Sequence, residues 1–342
     1  MNNLELWAWG ANNYGQLGNG QPCEQVESPL RLEMDDLDEN TQIVLGGGHT
    51  FCLTSNRLYV TGWNHKGQCG LGTTDTTVTE FSRVNTPEDF VQVAAGWDFS
   101  FGLDKNGYVY SCGSNTFGQI GLSNVVKTTT EFQLIKGLSN IKAISCGMRH
   151  AIFLSNDGNI FVCGSGKKGQ LCIQPSKENT FKATEVDFEE KKVIDIKVGQ
   201  NFTLLMFDDG NAKAFGDDKH GQITNLSKIF SENHPSQIEV GWTHIVALYN
   251  NGTLKSIGRG DYGQTSVATL KDVQKISVGY EHGLALDCSK QLYSWGWNEH
   301  GNCGVGHTEN VFHPCKIDLK GRNVIECYAG SGHSFALAKA TS

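Results

Sequence analysis

The stretch Trp9-Gly10-Ala11-Asn12-Asn13-Tyr14-Gly15-Gln16-Leu17-Gly18 is repeated along the chain. Six further copies begin at Thr61, Cys112, Cys163, Phe215, Ile257 and Trp295. Every copy keeps a glycine at its second and seventh positions, and successive copies lie 52, 51, 51, 52, 42 and 38 residues apart. Self-similarity at such a period indicates a solenoid, a propeller or another repeat array.

A second motif, Gly-x-x-His followed by a short apolar run, occurs in phase with the first. Its members are Gly46/His49, Gly147/His150, Gly241/His244, Gly279/His282 and Gly330/His333, and phenylalanine takes the histidine position at Gly96/Phe99 and Gly199/Phe202. Successive members are 50, 51, 52, 42, 38 and 51 residues apart. The two motifs therefore belong to one repeating unit.

Each unit reads as a hairpin followed by a glycine-rich loop. Alternating apolar and polar residues follow the histidine, and turn signals such as Asn106-Gly107 and Asp157-Gly158 come next. These dipeptides favour tight hairpin turns because both central positions tolerate positive φ. A further apolar run before each Gly-x-x-His brings the count to about four strands in roughly 50 residues, the size of a propeller blade.

The two ends of the chain supply complementary strands. Residues 4–9 match the second hairpin strand of a unit, and residues 333–337 match the first. One blade shared by both ends would close the ring and remove two open sheet edges. We therefore expect an all-β, seven-bladed propeller forming a single domain over residues 1–342. In the two shortened intervals, about ten residues should be missing from the outer strand and loop.

Composition narrows the functional class. The 41 glycines against 6 prolines suit tight turns between strands, and the net charge of -8 with a pI near 5.8 disfavours a nucleic-acid surface. The chain has no long apolar segment and no basic, apolar leader at its start. These features predict a protein of the cytoplasm, with the nucleus as an alternative location and no membrane contact.

No motif for covalent chemistry is apparent. The sequence has no Gly-x-Ser-x-Gly elbow, P-loop or dinucleotide fingerprint, and none of its 11 cysteines forms a C-x-x-C pair. Cys69 and Cys303 take the repeat position of Leu17, and Cys112 and Cys163 take that of Trp9, so we expect them in the core. We expect no cofactor and no catalytic residue.

The recurring histidines and glutamines favour structural roles. Five histidines in a ring invite a metal-site interpretation, but phenylalanine replaces the histidine at 99 and 202, and a metal site needs convergent ligands. We interpret these residues as packing or loop-bracing groups and predict no metal. The repeated glutamines should brace the loop backbone through side-chain hydrogen bonds: Gln16, Gln68, Gln119, Gln170, Gln222 and Gln264.

With these motifs in this order, the chain resembles the regulator of chromosome condensation repeat family over essentially its full length. That resemblance implies a seven-bladed propeller closed by its termini. Several stretches are similar to the secretion-regulating guanine nucleotide exchange factor subgroup, among them Cys146-Gly147-Met148-Arg149-His150-Ala151 and Ser294-Trp295-Gly296-Trp297-Asn298-Glu299-His300-Gly301-Asn302-Cys303-Gly304. The second of these also resembles the alpha-tubulin-suppressor propellers, which partner a small CSL-type zinc protein in diphthamide synthesis and Elongator-dependent tRNA modification.

Two departures from the founding chromatin-bound exchange factor shape the expected function. That protein has a basic N-terminal tail and an inserted β-wedge for its GTPase, whereas a strand is predicted here from Leu4 and the first four intervals are uniform at 51 to 52 residues. We expect a non-enzymatic protein-binding scaffold or regulatory subunit, monomeric on its own. The alternative is a guanine nucleotide exchange factor for a small GTPase. The partner expected from the resemblance is a CSL-type zinc protein, an exocyst subunit or a small GTPase.

Residues that differ between blades are the candidates for partner binding, because structural duties repeat and specific contacts need not. Ten such residues flank the repeated glycines: Trp97, Asp98, Arg149, Trp242, Arg259, Asp261, Trp297, Asn298, Glu299 and His300. Tryptophan and arginine on loops commonly anchor protein interfaces, although tryptophan also packs in cores. We hypothesise that the face carrying Trp97-Asp98 and residues 297–300 is the docking site.

Overall fold

The structure, a computed structural model, describes residues 4–55, 57–75, 77–173, 178–188, 192–230 and 234–340. The first thirteen strands in chain order are β1 (Leu4–Ala11), β2 (Gln25–Leu32), β3 (Gln42–Leu45), β4 (His49–Leu53), β5 (Leu58–Trp63), β6 (Thr77–Arg83), β7 (Phe90–Ala95), β8 (Phe99–Asp104), β9 (Val109–Ser114), β10 (Thr128–Leu134), β11 (Ile141–Cys146), β12 (His150–Ser155) and β13 (Ile160–Ser165). The later elements are β14 (Asn179–Val186), β15 (Val193–Val198), β16 (Phe202–Phe207), β17 (Ala212–Gly216), helix α1 (Ser227–Phe230), β18 (Gln237–Val240), β19 (His244–Leu248), β20 (Leu254–Gly258), β21 (Val273–Val278), β22 (His282–Asp287), β23 (Leu292–Gly296), β24 (Val311–Ile317), β25 (Asn323–Ala329) and β26 (His333–Lys339).

The strands form seven antiparallel sheets, which are the blades of a propeller. Blade 1 has the order β2-β1-β26-β25, and blades 2, 3 and 4 contain β3 to β6, β7 to β10 and β11 to β14. Among the described residues, blade 5 contains β15 to β17 and blade 6 contains β18 to β20, and blade 7 contains β21 to β24. The innermost strands touch in a closed circle that runs through β3, β7, β11, β15, β18, β21 and β25. The predicted seven-bladed propeller is confirmed.

Blade 1 is shared by the two ends of the chain, as predicted. Strand β1 lies between β2 and β26, and its register with β26 runs from Leu4 opposite Lys339 to Trp9 opposite Ser334. Trp9 is fully buried, and its indole Nε1 donates to the carbonyl oxygen of Asn302 in blade 7 (2.9 Å). The closing strand is therefore also a core element between two blades.

Apolar side chains fill the spaces between neighbouring blades. One cluster joins Phe99 and Phe101 of blade 3 to Phe153 of blade 4, for example, and equivalent clusters lie around the ring. Cys69, Cys112, Cys163 and Cys303 are fully buried, as predicted, and burial raises the pKa of their thiols. These thiols therefore act as small apolar groups at neutral pH.

The two shortened intervals fall in blades 5 and 6. Within the described residues these blades have three strands, so the expectation of four strands per unit is wrong for them, whereas the predicted loss of the outer strand is confirmed. Helix α1 follows β17 and buries Ile229. A helix of four residues makes about one turn, which is too short to produce a recognisable 3.6-residue periodicity in the sequence.

Candidate functional site

Both repeated motifs lie on one face of the disc. In each blade the Gly-x-x-His loop joins the innermost strand to the second strand, and the Trp-Gly-x-Asn loop follows the third. Neighbouring strands are antiparallel, so both loops lie at the same end of the sheet. We call the surface formed by the loops at residues 46–49 and 9–18, together with their repeats, the glycine-loop face.

The repeated glutamines brace these loops, as predicted. Gln16 Oε1 accepts a hydrogen bond from the backbone N–H of Tyr14 (2.9 Å). The same bond to the N–H two residues upstream is made by Gln68, Gln119, Gln170, Gln222 and Gln264. The loop asparagine adds a second brace, since Asn12 Oδ1 accepts from the N–H of Leu17 (3.0 Å). The loops are thus held by their own side chains.

Four of the five repeated histidines form hydrogen-bonded bridges between blades. All five are fully buried, and burial lowers the pKa of each imidazole to about 3. His333 Nε2 lies 2.9 Å from Thr50 Oγ1 in the next blade, and that hydroxyl donates to the carbonyl oxygen of Gln16 (2.7 Å). The hydroxyl must therefore accept its second bond from the imidazole N–H. Equivalent contacts join His49 to Ser100, His150 to Thr203 and His282 to Ser334.

We call His49, His150, His244, His282 and His333 the histidine belt, and its exceptions are informative. Where phenylalanine replaces histidine, the facing residue of the next blade is apolar: Phe99 packs in one cluster with Ala151, and Phe202 in one cluster with Ile245. His244 faces Gly283 at the equivalent position, and neither of its ring nitrogens has a hydrogen-bond partner. Among the described residues no group of three or more His, Cys, Asp or Glu side chains is placed to hold a metal ion.

The residue after the first glycine of each Gly-x-x-His motif lies closest to the propeller axis. Backbone bonds connect these positions from blade to blade: the N–H of Gln200 donates to Trp242 O (3.1 Å), and that of Trp242 donates to Tyr280 O (2.8 Å). Three of the side chains are large rings that meet near the axis. The Trp242 and Tyr280 rings stack with centroids 4.1 Å apart, and the Trp97 ring lies 5.7 Å from Trp242. We call Trp97, Trp242 and Tyr280 the central aromatic cluster.

A depression of about 810 Å³ opens around this cluster at the centre of the glycine-loop face. Besides the cluster, its walls include Tyr14, Trp297 and His300, with the last two rings perpendicular and 5.1 Å apart. Its charged lining residues are Lys168, Asp217, Lys219, Arg259, Glu281 and Glu299. The depression is thus aromatic at its centre and carries charges of both signs around it.

Several of these charges are already paired within the protein. The Arg259 guanidinium contacts both carboxylate oxygens of Asp261 (2.6 and 2.9 Å) and one oxygen of the nearly buried Glu281 (3.5 Å). Glu281 also accepts from Gln264 Nε2 (2.7 Å) and Thr243 Oγ1 (3.1 Å). The contact with Arg259 lowers the pKa of Asp261. These polar groups fix the loop geometry of blades 6 and 7.

The structure brings together six of the ten predicted site residues. Those that line the depression are Trp97, Trp242, Arg259, Trp297, Glu299 and His300. Arg149 and Asp261 lie on the same face, outside the lining; both are exposed, and the Arg149 guanidinium lies 4.4 Å from the centre of the Phe117 ring. Asp98 is partly buried and accepts a bond from Gln119 Nε2 (3.3 Å), and burial raises the pKa of its carboxyl.

Asn298 is not a surface contact residue, and its prediction is wrong. Its side chain is fully buried, donates to the carbonyl oxygens of His307 (2.8 Å) and Glu309 (2.9 Å), and accepts from the N–H of Cys303 (2.7 Å). Asn298 occupies the same repeat position as Asn12, so it has the loop-bracing role that the repeat requires.

Sequence reasoning missed Tyr280 and Glu281. Tyr280 occupies the same motif position as Trp97 and Trp242, and alignment of the seven Gly-x-x-His copies at that position would have found it. Glu281 shares the motif position of Asp98 and Arg149. Its role as the shared partner of Arg259, Gln264 and Thr243 has no sequence signal, because these residues lie on two other loops, the one that begins at Ile257 and the one that contains Thr243.

The protein is therefore a seven-bladed propeller with one face built from loops and aromatic side chains at the centre of that face. Residues 5–336 match the family described as the RCC1-like domain, and the chain belongs to that family. It is 30% identical to the secretion-regulating guanine nucleotide exchange factor of Bos taurus, covering 98% of this chain and 83% of that protein. The Mus musculus protein of the same name is 31% identical with the same coverage.

Solved structures show the same fold. Prp20p from Saccharomyces cerevisiae superposes with a TM-score of 0.85 at 20% identity, covering 100% of this chain and 93% of that chain. Human WBSCR16 also gives a TM-score of 0.85, at 21% identity, covering 99% of this chain and 100% of that one. In the part of the chain that the structure describes, no helix is both long and apolar enough to cross a membrane.

Proposed function

We propose that this propeller is a protein-binding scaffold or regulatory subunit without covalent chemistry of its own, and that its partner docks on the glycine-loop face. The observation that carries the proposal is the central aromatic cluster at the base of a depression of about 810 Å³. Aromatic rings set in a concave, partly desolvated surface are typical anchors of protein interfaces.

The polar groups around the depression support binding over catalysis. Arg259 and Glu281 contact each other and their loop neighbours, and Lys168 lies 3.3 Å from Asp217. Groups engaged in this way keep the loops rigid, and a rigid surface binds with a smaller loss of conformational entropy. Glu299 is exposed at the rim, where a charge can select a partner through complementarity.

The partner we favour is a small, folded CSL-type zinc protein, as in diphthamide synthesis and Elongator-dependent tRNA modification. Support comes from residues 294–304, the stretch that resembles the alpha-tubulin-suppressor propellers, because Trp297, Glu299 and His300 from it line the depression. An exocyst subunit is a second candidate partner of the same scaffold role.

Exchange-factor activity on a small GTPase is the alternative function. It is favoured by the two mammalian relatives, which are named as secretion-regulating guanine nucleotide exchange factors and match 98% of this chain. The structure of Prp20p is described together with its binding to Gsp1p and histones. In this alternative the GTPase would occupy the glycine-loop face.

A binding panel tests the docking face. The purified protein is titrated with a recombinant CSL-type zinc protein, an exocyst subunit and a set of small GTPases, by calorimetry. Trp297→Ala is expected to weaken binding of the true partner by at least about tenfold, which corresponds to about 1.4 kcal/mol. Glu299→Lys should also weaken it while changing stability by less than about 0.5 kcal/mol, as is usual for an exposed residue.

Tyr108→Ala is the matched control, since Tyr108 is exposed beside the Asn106-Gly107 turn at the other end of the hairpin. Its binding should equal that of the unmodified protein. Equal affinity of all three variants for every partner that binds would remove the glycine-loop face as the docking site. Release of fluorescent GDP from a GTPase, accelerated by orders of magnitude at catalytic concentrations of the propeller, would establish the alternative instead.

A further inference from the structure

Blade 5 has an open strand edge at the rim of the disc. In blades 1, 2, 3, 4 and 7 a fourth strand covers the outer side of the third strand. In blade 5 the third strand, β17, pairs only with β16 among the described residues. An unpaired edge of this kind can accept another strand.

The backbone groups of this edge point away from the blade. The N–H of Phe207 donates to Asn211 O, and the N–H of Asp217 donates to Asn201 O (both 2.9 Å). Hydrogen-bonded and non-bonded pairs alternate in an antiparallel ladder. Ala212, Ala214 and Gly216 therefore direct their N–H and C=O groups outward, toward the position of the missing strand.

In blade 4 the equivalent residues are paired. Ile160, Val162 and Gly164 of β13 lie opposite Val186, Thr184 and Thr180 of β14. The edge of β17 thus has the same geometry as an edge that holds a strand elsewhere in this molecule. Its length is sufficient for the same three pairs.

A glycine in the loop of the neighbouring blade points to the same unfilled strand position. The seventh residue of each Trp-Gly-x-Asn loop is a glycine with positive φ. It faces the position that the outer strand of the next blade takes in the four-stranded blades. A Cβ added to this glycine would lie within 2.5 to 2.9 Å of that strand's backbone at Gly15, Gly67, Gly118, Gly263 and Gly301. At Gly169, which faces blade 5, a Cβ would meet no described atom within 4 Å. In the part of the chain that the structure describes, the space that an outer strand fills beside those five loops is empty at Gly169.

Blade 6 lacks its outer strand too, but its own chain fills the space. A Cβ on Gly221, which faces blade 6, would meet the side chain of Asn225 at 2.5 Å. The hydroxyl of Tyr249 donates to Ile229 O in helix α1 (2.7 Å), and this helix contacts β20, the third strand of blade 6. The opening is therefore a property of blade 5.

The surroundings specify the chemistry of a strand that would fit. Phe81 and Phe132 of two outer strands lie within 2.7 Å of where a Cβ of Gly18 or Gly70 would be. Cys172 takes that loop position beside blade 5, so its side chain leaves room for a small residue only. The exposed Lys213, with its ammonium 5.0 Å from the centre of the Phe215 ring, adds positive charge along the edge.

We propose that an extended, acidic segment of a partner protein binds here as the fourth strand of blade 5. It pairs antiparallel with Ala212, Ala214 and Gly216, lies against Gly169, and places a small side chain over Cys172. Main-chain hydrogen bonds supply the affinity, as in other strand additions to an exposed edge, and the small and acidic positions supply the specificity. This site lies at the outer edge of the disc; it shares the loop at residues 163–172 with the glycine-loop face and does not include the central aromatic cluster.

Hydrogen exchange of the free protein is the first test. The amide of Ala214 should exchange at least about 100-fold faster than that of Val162, its paired equivalent in blade 4. Slow exchange at Ala214 in the monomer would mean that another part of this chain covers the edge, and would overturn the proposal. Exchange that slows as the protein dimerises would identify a second copy as the occupant and would overturn it equally.

Titration with a model strand is the second test. The probe is a synthetic peptide copying residues 178–187, which carries Ala183 at the small position and a net charge of -2 from Glu178, Lys182, Glu185 and Asp187. Saturable shifts of the Ala212, Ala214 and Gly216 amide signals are expected, with a dissociation constant below about 1 mM. The same peptide with Ala183→Phe should bind at least about tenfold more weakly, because of the clash with Cys172.

Two variants of the propeller locate the binding. Ala214→Pro removes an outward donor, and Gly169→Asn places a side chain in the open space; each should abolish the shifts. Ala214→Val keeps the donor and should bind as the unmodified protein does. Thermal melting identifies any variant that fails to fold, and the other then decides. Shifts that persist in a folded blocking variant, or that never appear at residues 212–216, would overturn the proposal.

Discussion

The histidine belt and the central aromatic cluster come from the same seven loops, yet they behave in opposite ways. Belt residues occupy the fourth position of Gly-x-x-His, are fully buried, and contact the neighbouring blade. Cluster residues occupy the second position and remain partly exposed. In this cluster, Trp97 of blade 3 contacts Trp242 of blade 6 and Tyr280 of blade 7. Within one motif, the side chain at the fourth position contacts the neighbouring blade, whereas the side chain at the second position lies near the propeller axis.

The difference explains which residues repeat. The fourth residue of each Gly-x-x-His motif meets one position of the next blade, and the two residues are matched at six of the seven sites: histidine with a hydroxyl, phenylalanine with an apolar group. His244, opposite Gly283, is the exception. A residue near the axis meets whatever the other loops present, and nothing in the repeat fixes it. Repetition therefore indicates packing, and variation at a repeated position indicates where a specific surface can arise.

The largest effect should come from acid, which acts on the whole belt. The folded-state pKa of each belt histidine is about 3, below the value of about 6.5 for an exposed imidazole. Stability from neutral burial is fully present above pH 6.5 and is lost as pH falls toward 3. Between about pH 7.5 and 5.5 the free energy of unfolding should fall by about 1.4 kcal/mol per histidine, or about 7 kcal/mol for five.

Urea unfolding at the two pH values measures this loss. The double variant His49→Phe, Ser100→Ala has four belt histidines and should lose about one fifth less. Stability that does not change between the two pH values would show that the belt is protonated or hydrated in the folded protein. In that case the contrast between a buried belt and a partly exposed cluster fails.

A smaller effect should come from a single bridge. Ser100→Ala leaves the Nε2–H of His49 without an acceptor and removes the donor to Gln68 O, so we expect a cost of about 1 to 3 kcal/mol. Adding His49→Phe should recover at least half of the loss, because Phe99 with Ala151 is the same pair in the next blade. A double-mutant cycle measures the coupling. If the destabilisation by His49→Phe and that by Ser100→Ala simply add in the double variant, belt residues are not matched to their partners.

The smallest effect is expected at His244, the belt histidine without a hydroxyl partner, and it should be stabilising. His244 has two unpartnered ring nitrogens in a buried site, so His244→Phe should raise the free energy of unfolding by about 1 kcal/mol. His150→Phe is the control and should destabilise, because it leaves Thr203 with one hydrogen bond fewer. Thermal melting of both variants compares them directly. Equal destabilisation would mean that phenylalanine does not fit the belt beside Gly283.

Much of the loop chemistry was predictable from recurrence alone. Gln16 and its five equivalents were assigned as loop braces because a residue repeated once per blade must make a contact that every blade contains. Asn298 lies beside the variable Trp297 but occupies the repeat position of Asn12, and its bond to the N–H of Cys303 corresponds to the bond from Leu17 to Asn12. Tyr280 shares a motif position with Trp97 and Trp242, and these three residues keep the aromatic character but not the residue type.

The number of blades, their closure through β1 and β26, and the loss of two outer strands could be predicted from the sequence, because each of them depends on local patterns and their spacing. The contact between Trp97 and Trp242, 145 residues apart, appears only in the folded molecule. So does the difference between Gly169, beside which the described residues leave a space, and Gly221, beside which Asn225 lies. Closing a ring brings distant loops to one point, and which of them meet depends on the summed rotation of every blade between them. The total rotation between two distant blades cannot be read from any local pattern of residues.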